Sequence, residues 1–519
     1  MTTVKHAASV LFSISGVALC ALLAACGSPS PAGKPAAAEP PAAAPLSKPH
    51  VDWFEGSLNA AFAKAQAEKK PVLINWGAHW CPYCMALKAT VFTRPDFIAQ
   101  TANVVAVDLD GDTPEGQAAN EEFHVIGYPT LAIFKADRTE IARVSGGMDL
   151  EQYAGTLGRV LEDERPISEV LAAAVKPDVA SISKEDCRRL AYHGWELEAA
   201  DDDAAPKKAG ELALAAGRCP ADERIARARL NSRALVIQVD HESHAIGEGK
   251  AASPELVSRV RALAPILGDP VQAQAVIDIL SLVDDAMFKA VKGQGASFAD
   301  GFHRAWSAAM LNAAHDSHYG ESERLLAMAT AIDAETQLRA DGKAPADMAA
   351  EARTLVQSAL SKDAQQGTRH DVVNAARLVY STLGDEEALY DMLVSEAPKS
   401  STTYYYYSTI ARIAEKRGNK DEALGWLKRA YEAVASQAPG ARANYGSRYV
   451  AGLTHLAPND VDTIRRVSLD VAQAINERDA RTAKAPDRAD HLTDPLTKWA
   501  TTPPRKAVVA DVEKRLTSA

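Results

Sequence analysis

The secondary-structure signals along this chain of 519 residues change character near residue 165. Before that point, short apolar runs typical of buried strands alternate with segments of helical periodicity. After it, strand signals largely vanish, and Ala, Leu and charged residues recur at helical spacing. The pattern therefore predicts an α/β domain over residues 50–165, followed by an all-α region.

Each element of the predicted α/β domain has a local signal. The predicted strands lie in "PVLINW", in "NVVAVDLD" and, as a pair around a polar turn, in "TLAIFKADRTEIARVSG". Four helices are predicted. The first lies in "NAAFAKAQAEKK", the second opens at Cys81, the third lies in "PEGQAANEEF" and the fourth runs from Asp149 to Leu161. The cysteines of the chain's single CxxC pair therefore fall where a strand gives way to a helix.

This pair, in the stretch "WCPYC", consists of Cys81 and Cys84. Attachment of c-type haem requires a histidine after the second cysteine, and Met85 occupies that position. A structural zinc site requires four nitrogen or sulfur ligands, and no second CxxC or nearby histidine pair completes this one. Thiol-disulfide exchange requires only the two thiols that are present. The sequence therefore favours a redox pair over a zinc half-site.

The predicted α/β domain resembles the thioredoxin family. The matching elements, in the βαβ…ββα order of that family, are "WCPYC", Val91 with Phe92, "VVAVDLD", Gly127–Thr130 and the late glycines Gly146 and Gly147. The segment is similar to the periplasmic C-terminal domain of transmembrane thiol:disulfide interchange proteins and to small thioredoxin-like domains of bacterial lipoproteins. The resemblance implies a thioredoxin fold and a thiol-disulfide oxidoreductase activity for about a fifth of the chain.

The two cysteines are expected to have different roles. A helix that begins at Cys81 points its unpaired N–H groups and the positive end of its dipole at that sulfur, which favours the thiolate. We therefore expect Cys81 to be the nucleophile and Cys84, one turn further in, to be the shielded resolving thiol. Pro82 suits the first helical turn, where no N–H is needed. The Pro82–Tyr83 dipeptide is similar to that of glutaredoxins.

The resemblance assigns further roles around the pair. It implies that Pro129 is a cis proline that faces the cysteines and helps to present backbone to an extended substrate segment. It also implies that Tyr128 contacts the client chain. Trp80 matches the family's aromatic flank, although a core role alone would account for it.

Position 75 departs from the family pattern. Thioredoxins have a buried aspartate six residues before the first cysteine, where it manages the proton of the resolving thiol. This chain has Asn75 there, and an amide cannot take up a proton. His79 is a candidate substitute, because an imidazole titrates near neutral pH. A solvent-facing loop histidine is an equally good interpretation.

Residues 1–25 are predicted to be a lipoprotein signal peptide. Lys5 and His6 precede an apolar run, and "LAAC" places small residues before Cys26. This arrangement resembles the bacterial lipobox, in which the cysteine becomes the lipidated first residue; an ordinary secretory signal is the alternative. Residues 26–49, rich in Ala and Pro, are predicted to be a tether. We expect a lipid-anchored, periplasm-facing protein of the bacterial cell envelope, at the outer membrane by analogy with Gram-negative lipoproteins.

Cys187 and Cys219 remain as an even pair in an oxidising compartment. They flank two predicted antiparallel helices, with Ser183 as the N-cap of the first and Gly217 as the stop of the second. The hairpin would bring the two cysteines together. The sequence favours a structural disulfide over a second redox centre.

The helical half is predicted to contain an α-helical domain over residues 166–370, TPR-like repeats over 371–500 and a tail over 501–519. Gly384 and Gly418 lie 34 positions apart in similar sequence, which is the tetratricopeptide period. The prediction is a TPR-like helical solenoid, and an unrelated helical bundle is the alternative.

These observations favour a membrane-anchored periplasmic thiol-disulfide oxidoreductase that acts on protein disulfides. The Cys81–Cys84 disulfide would be its redox centre, without a further cofactor. Its partners would be protein thiol or disulfide clients and a periplasmic electron donor or acceptor, one of which the helical domain docks. We expect no metal, because the two HxxH pairs, His241 with His244 and His315 with His318, lack a clear third ligand. We expect no nucleic acid, because the formal charge is -11.

The alternative function is a non-catalytic, TPR-type protein-binding lipoprotein whose thioredoxin domain is a relic. The intact CxxC pair favours the enzyme, and Asn75 slightly favours the alternative. The tyrosine run Tyr404–Tyr407 fits either function, since such residues pack against neighbouring helices or grip peptides on a concave face.

Overall fold

The computed structural model describes residues 50–145, 151–198, 204–280, 285–362, 366–437, 439–477 and 485–517. The predicted signal peptide, the lipidation site Cys26, the tether and the glycines Gly146 and Gly147 lie outside the described residues. Among the described helices, none is both long enough and apolar enough to cross a membrane.

A four-stranded mixed sheet forms the centre of the α/β domain. β1 runs parallel to β2 and antiparallel to β3, and β3 pairs antiparallel with β4, which gives the strand order β2-β1-β3-β4. The strands are β1 (Val72–Gly77), β2 (Val105–Asp110), β3 (Thr130–Phe134) and β4 (Glu140–Ser145). The helices are α1 (Leu58–Glu68), α2 (Pro82–Thr90), α3 (Pro95–Thr101), α4 (Pro114–Glu122) and α5 (Glu151–Glu162), with a 3-10 turn at Val91–Thr93. This arrangement confirms the predicted α/β architecture and adds α3.

The central strand β1 is buried along its whole length, because helices cover both faces of the sheet. Successive side chains of a strand point to opposite faces. Leu73 accordingly packs with Phe97 in one core, and Ile74 packs with Phe62 and Phe123 in the other. Burial of each such side chain contributes about 1.5–3 kcal/mol. The two cores hold β1 in place, and the chain leaves it at Gly77, just before the cysteine pair.

Beyond residue 166, the described chain is nearly all helix, as predicted. Its α-helices are α6 (Ile167–Ala174), α7 (Lys184–Tyr192), α8 (Ala205–Arg218), α9 (Arg224–Gly247), α10 (Pro254–Leu267), α11 (Pro270–Gln274), α12 (Ile277–Leu280), α13 (Asp285–Lys292), α14 (Ala296–His315), α15 (Glu321–Gln337), α16 (Ala346–Ser361), α17 (Gln366–Leu383), α18 (Glu386–Glu396), α19 (Tyr404–Lys416), α20 (Lys420–Ala433), α21 (Pro439–Leu456), α22 (Val461–Asn476), α23 (Ala485–Trp499) and α24 (Pro503–Thr517). Short 3-10 turns occur at Trp195–Leu197 and Ala397–Lys399.

Two helix pairs late in the chain share one turn geometry. Gly384 follows α17 with φ 67°, and Gly418 follows α19 with φ 83°. These positive φ values favour glycine, which has no Cβ to clash with the backbone. The shared turn is compatible with the predicted TPR-like repeats, which stay a prediction. The predicted boundary at residue 371 falls inside α17.

The predicted C-terminal tail over residues 501–519 contains the helix α24. Val508 and Val512 of this helix are buried in the same core as α21–α23. Apolar residues four positions apart share one face of a helix, and that face is covered here. Residues 503–517 therefore belong to the packed helical region.

The first helical hairpin contains the predicted second cysteine pair. Ser183 caps α7 by accepting a hydrogen bond of 3.0 Å from the backbone N–H of Asp186. Cys187 and Cys219 form a disulfide that is buried in the hairpin core, with their Cα atoms 5.6 Å apart. The prediction that Gly217 stops α8 is wrong. The helix continues through Arg218 and ends at Cys219, whose extended backbone precedes a proline.

Arg143 on β4 joins the α/β domain to this hairpin. Its side chain is almost fully buried, and it donates hydrogen bonds to the backbone carbonyls of Phe123 and Leu197 at 2.7 and 2.9 Å. Its guanidinium also pairs with Glu140 at 2.8 Å. The backbone N–H of Arg143 donates to Nδ1 of His193 at 3.0 Å. Buried charges of this kind are retained where hydrogen bonds satisfy them, so the network fixes the hairpin against the sheet edge.

We expect that replacing Cys187 and Cys219 by alanine together will lower stability by about 3–4 kcal/mol in the chain-entropy model, because the disulfide closes a loop of about 32 residues. Equilibrium urea unfolding followed by tryptophan fluorescence measures the change. The wild type with and without reductant is the control. An unchanged unfolding midpoint in the double variant would show that the bond does not stabilise the fold.

Candidate functional site

The cysteine pair occupies the N-terminus of α2. Cys81 is the N-cap residue in extended conformation, and its Sγ accepts a hydrogen bond of 3.2 Å from the backbone N–H of Cys84. Pro82 opens the first turn, where it sacrifices no hydrogen bond. Cys81 and Cys84 form a disulfide with their Cα atoms 5.2 Å apart. When the pair is reduced, the N–H groups and the helix dipole stabilise a thiolate on Cys81.

The loop before β3 faces this disulfide. The Tyr128–Pro129 peptide bond is cis, which is the geometry that the resemblance implies. The carbonyl oxygen of Tyr128 lies 3.7 Å from Cys81 Sγ. The Tyr128 hydroxyl accepts a hydrogen bond of 2.7 Å from Asn120 Nδ2. A side chain at Gly111 would overlap that hydroxyl, so glycine at this position leaves room for the tyrosine ring.

Asn75 lies close to Cys84. It is 2% exposed, and its Nδ2 donates to Asp108 Oδ1 at 2.8 Å across the β1–β2 pairing. A Cβ built on Gly77 would lie 3.6 Å from Cys84 Sγ and 3.7 Å from Asn75 Nδ2, so both groups border the same position. The Asn75 Oδ1 atom has no hydrogen-bond partner among the described residues. A carboxylate, that of Asp108, therefore lies one hydrogen bond beyond the amide.

The helical region covers the disulfide. Cys81 and Cys84 are 3% and 2% exposed, and α17 packs against α2. Trp80 Nε1 donates to Asp112 at 2.6 Å, and Trp80 packs against the buried cluster of Tyr404, Ala430 and Val434 in the helical region. The same tryptophan thus contacts both parts of the protein.

Two histidines make hydrogen bonds across this contact. His370 Nε2 lies 3.2 Å from the backbone carbonyl of Trp80, and His370 Nδ1 pairs with the Tyr406 hydroxyl. His79 is exposed, and its Nε2 lies 2.8 Å from Gln437 Oε1. His79 therefore contacts the helical region, and its suggested role in proton transfer stays a prediction.

A buried carboxyl lies next to His370. Asp371 is 6% exposed, and burial raises its pKa to about 6. A hydrogen bond from Ser322 acts in the opposite direction and lowers the pKa by a smaller amount. Burial lowers the pKa of His370 to about 4, against its hydrogen bond to Trp80. Tyr83 is 42% exposed overall, yet desolvation of its hydroxyl and the nearby Asp371 raise its pKa to about 12. No local motif marks His370 or Asp371, and sequence reasoning missed both.

An open cleft of about 680 Å³ adjoins the covered disulfide. The α/β domain contributes Trp80 and the loop Ile126–Tyr128 to its wall. The helical region contributes residues of α17, α19, α21 and α23. The predicted second pair, Cys187–Cys219, lies in a separate core and does not take part in this site.

One group of side chains has the composition of a metal site. The ligand atoms of Glu140, His193 and Glu198 lie within 4.8 Å of one another. Arg143 pairs with Glu140, and Lys208 pairs with Glu198 at 3.4 Å. His193 Nδ1 already accepts the Arg143 backbone N–H. These contacts make the group part of the buried ionic network between sheet and hairpin.

Comparison with known proteins agrees with this geometry. Residues 52–136 match a family described as thioredoxin-like. The thiol:disulfide interchange protein DsbD of Yersinia pestis (strain Pestoides F) is 33% identical over 93 residues, which is 17% of this chain and 16% of that protein. DsbD of Cronobacter sakazakii (strain ATCC BAA-894) is 36% identical over 98 residues, or 18% and 17% of the two chains. The chain therefore spans only about a sixth of these relatives.

Among solved structures, a thioredoxin from Thermus thermophilus is 28% identical, with a TM-score of 0.20; the match covers 22% of this chain and 88% of that one. The family match and the four-stranded sheet identify a thioredoxin-like domain in the N-terminal part of the described chain. This domain carries the Cys81–Cys84 pair.

The pKa values of His370 and Asp371 predict opposite effects of pH on stability. Because the pKa of His370 is lowered to about 4, this residue stabilises the fold at pH values above its ordinary pKa of about 6.5. This contribution is lost as pH falls towards 4. A pKa of about 6 for Asp371 stabilises the fold below about 3.8, and this contribution is lost as pH rises towards 6. Each effect amounts to at most about 3 kcal/mol.

We therefore expect His370→Asn to gain stability relative to the wild type as pH falls from about 6.5 to 4.5, and Asp371→Asn to gain it as pH rises from about 4 to 6.5. Urea unfolding midpoints of the three proteins across this range measure both trends. Parallel pH curves for all three would contradict the assignment of these two groups.

Proposed function

We propose that this protein is a thiol-disulfide oxidoreductase that acts on protein disulfides through Cys81 and Cys84. The observation that carries the proposal is the position of the pair. It sits at a helix N-terminus, with the carbonyl before the cis proline 3.7 Å from Cys81 Sγ, in a thioredoxin-like domain. A thiolate favoured at this position is the nucleophile of exchange chemistry.

The reaction would proceed by two exchanges. The Cys81 thiolate attacks one sulfur of a client disulfide, forms a mixed disulfide and releases the other client sulfur as a thiolate. The Cys84 thiolate then attacks Cys81 Sγ, releases the second client thiolate and leaves the Cys81–Cys84 disulfide. Two electrons pass from the protein to the client, and the reverse sequence oxidises a client dithiol. The redox partner decides which direction prevails.

A client must reach a sulfur that the helical region covers. Cys81 is 3% exposed, and the loop at Tyr128 forms the side of the disulfide that adjoins the open cleft. We propose that a client segment enters along this loop, and that the helical region docks the client or the electron donor. The family roles would then apply here: Pro129 helps to present backbone to the substrate, and Tyr128 contacts the client chain.

The proposed location is the bacterial cell envelope, facing the periplasm. It rests on the signal peptide, Cys26 and the tether inferred from residues 1–49, with a lipid anchor at the outer membrane. The disulfide between Cys187 and Cys219 is in keeping with an oxidising compartment. The partners would be periplasmic protein clients and an electron donor or acceptor of the same compartment.

The rival function is a non-catalytic binding protein with a relic thioredoxin domain. The burial of both cysteines and the amide at Asn75 favour it. Trapping experiments separate the two functions, because a relic domain does not form mixed disulfides.

We expect Cys84→Ser to accumulate mixed disulfides between Cys81 and client proteins, because the resolving thiol is missing, and Cys81→Ser to capture far fewer. Both changes are made in a background that lacks Cys187 and Cys219, so that no other described cysteine takes part. Acid quenching, thiol alkylation and non-reducing gels of cell extracts measure the adducts. A pair that stays in one redox state under every oxidant and reductant would support the relic instead.

We expect Asn75→Asp to speed release of the mixed disulfide near neutral pH by up to about tenfold, because a general base then assists the resolving thiol. The new carboxylate would lie against Asp108, and like charges at that distance raise the pKa of one partner towards neutrality. The rate of resolution against pH is the measurement. Asn75→Asp with Asp108→Asn is the matched control. Identical pH profiles for all variants would mean that another group accepts this proton.

A further inference from the structure

We propose that the cleft beside the disulfide is an anion-selective client site, in which arginines of the helical region bind aspartate or glutamate side chains flanking a client cysteine. This inference rests on the proposed function and names its substrate class. It assigns client selection to the helical region and exchange chemistry to the thioredoxin-like domain.

The cleft lies where a client backbone would run. Gly127 and Tyr128, the two residues before the cis proline, line it, and the Tyr128 carbonyl is 3.7 Å from Cys81 Sγ. Trp80, directly before Cys81, lines the same space. A chain segment that follows this loop therefore places its neighbouring side chains in the cleft. The volume of about 680 Å³ accommodates several residues of an extended peptide.

The wall supplied by the helical region is basic. Arg377 of α17, Arg448 of α21 and Arg488 of α23 line the cleft together with His491. Among the described lining residues, Asp112 is the single carboxylic acid, and it already accepts a hydrogen bond from Trp80. The formal charge of the whole chain is -11. Three arginines from three helices thus form a positive site in an acidic protein, which attracts anionic segments.

Two of these arginines have no acidic partner within the described chain. Arg377 donates to the amide oxygen of Asn374 at 3.0 and 3.2 Å, and the guanidinium of Arg448 lies 5.4 Å from the ring centre of Tyr445. In contrast, buried arginines elsewhere pair with carboxylates, as Arg229 does with Asp278 at 2.8 Å. A guanidinium that forms no ion pair keeps donors for a bidentate carboxylate contact.

The third arginine lies in a partly desolvated position. Burial lowers the pKa of Arg488, and nearby Asp112 counteracts this effect. A desolvated cation gains more from an anion than an exposed one, because water screens the pair less. Arg488 therefore adds positive charge to the wall of the cleft, and direct binding of a client carboxylate is assigned to Arg377 and Arg448.

Aromatic side chains complete the cleft. Tyr404 and Tyr445 meet edge to face with ring centres 5.1 Å apart, and burial raises the pKa of Tyr445 to about 12. The hydroxyl of Tyr445 is thus a neutral hydrogen-bond donor at physiological pH. Ile126, which is 53% exposed, offers an apolar contact at the edge. Tyrosine and arginine together are typical of protein surfaces that bind peptides tightly.

The test measures binding and exchange separately. Two short fluorescent peptides with one central residue in common differ only in flanking glutamates or lysines. Each peptide is made in two versions. The version with a central serine measures binding by fluorescence anisotropy. The version with a central cysteine, disulfide-linked to a chromophoric thiol, measures exchange. We expect the oxidised wild type to bind the glutamate peptide at least about tenfold more tightly than the lysine peptide at low salt, with the preference shrinking as salt is raised.

The combined variant Arg377→Gln/Arg448→Glu should reduce this preference to less than about twofold. Arg304→Glu, at an exposed residue of α14 outside the cleft, changes charge without touching the site and should keep the wild-type ratio. Thermal melting and exchange with a small neutral disulfide check that the combined variant is folded. If the combined variant does not fold, the single variant Arg448→Glu, changed at an exposed position, replaces it. We expect this single variant to lose a smaller part of the preference for the glutamate peptide.

Equal affinity of the wild type for the two serine peptides would overturn the anion-selective site, whatever the exchange assay shows. A strong preference for glutamate that survives in the combined variant would also overturn it. Failure of the proposed function looks different: neither cysteine peptide reacts with the reduced protein, although the serine peptides still bind with the expected preference.

Discussion

The arrangement of this protein depends on the contact between α17 and the start of α2. The His370 ring meets the backbone carbonyl of Trp80 across 290 positions of sequence, and Trp80 in turn packs against the cluster that contains Tyr404. A neutral imidazole suits this place, because burial disfavours its charged form. The contact covers the disulfide on one side and leaves the Tyr128 loop beside an open cleft on the other. The helical region is therefore part of the site's environment.

The thioredoxin-like domain was largely predictable, because its signals are local. The buried run of β1, the helix that opens at Cys81 and the hairpin around Cys187 and Cys219 each follow from neighbouring residues. The contact of His370 with Trp80 was not predictable. Helical periodicity shows which face of α17 is apolar, but it does not show what covers that face. The wrong stop at Gly217 has a different cause: α8 continues one residue further, through Arg218, and ends where the extended residue Cys219 precedes Pro220.

The departure at Asn75 takes on a different meaning in the fold. From sequence, the amide is a lost proton acceptor. In the structure, Asp108 on the adjacent strand holds the amide from the solvent side, and Lys88 pairs with Asp108 at 2.6 Å. The carboxylate thus lies on the neighbouring strand β2, opposite Asn75. Position 75 itself therefore departs from the family pattern, while a carboxylate remains one hydrogen bond away from it.

The order of the disulfides along the chain bears on how the protein matures. Four cysteines in the described part allow three pairings. In the observed pairing, the first cysteine is bonded to the second and the third to the fourth. If the chain is exported as proposed, Cys81 would meet Cys84 before Cys187 emerges, and short loops close at the smallest entropic cost. Among the described cysteines, Cys187 and Cys219 would then remain to pair with each other. In the proposed envelope location, the order of the cysteines would therefore favour the observed pairs over the two alternatives.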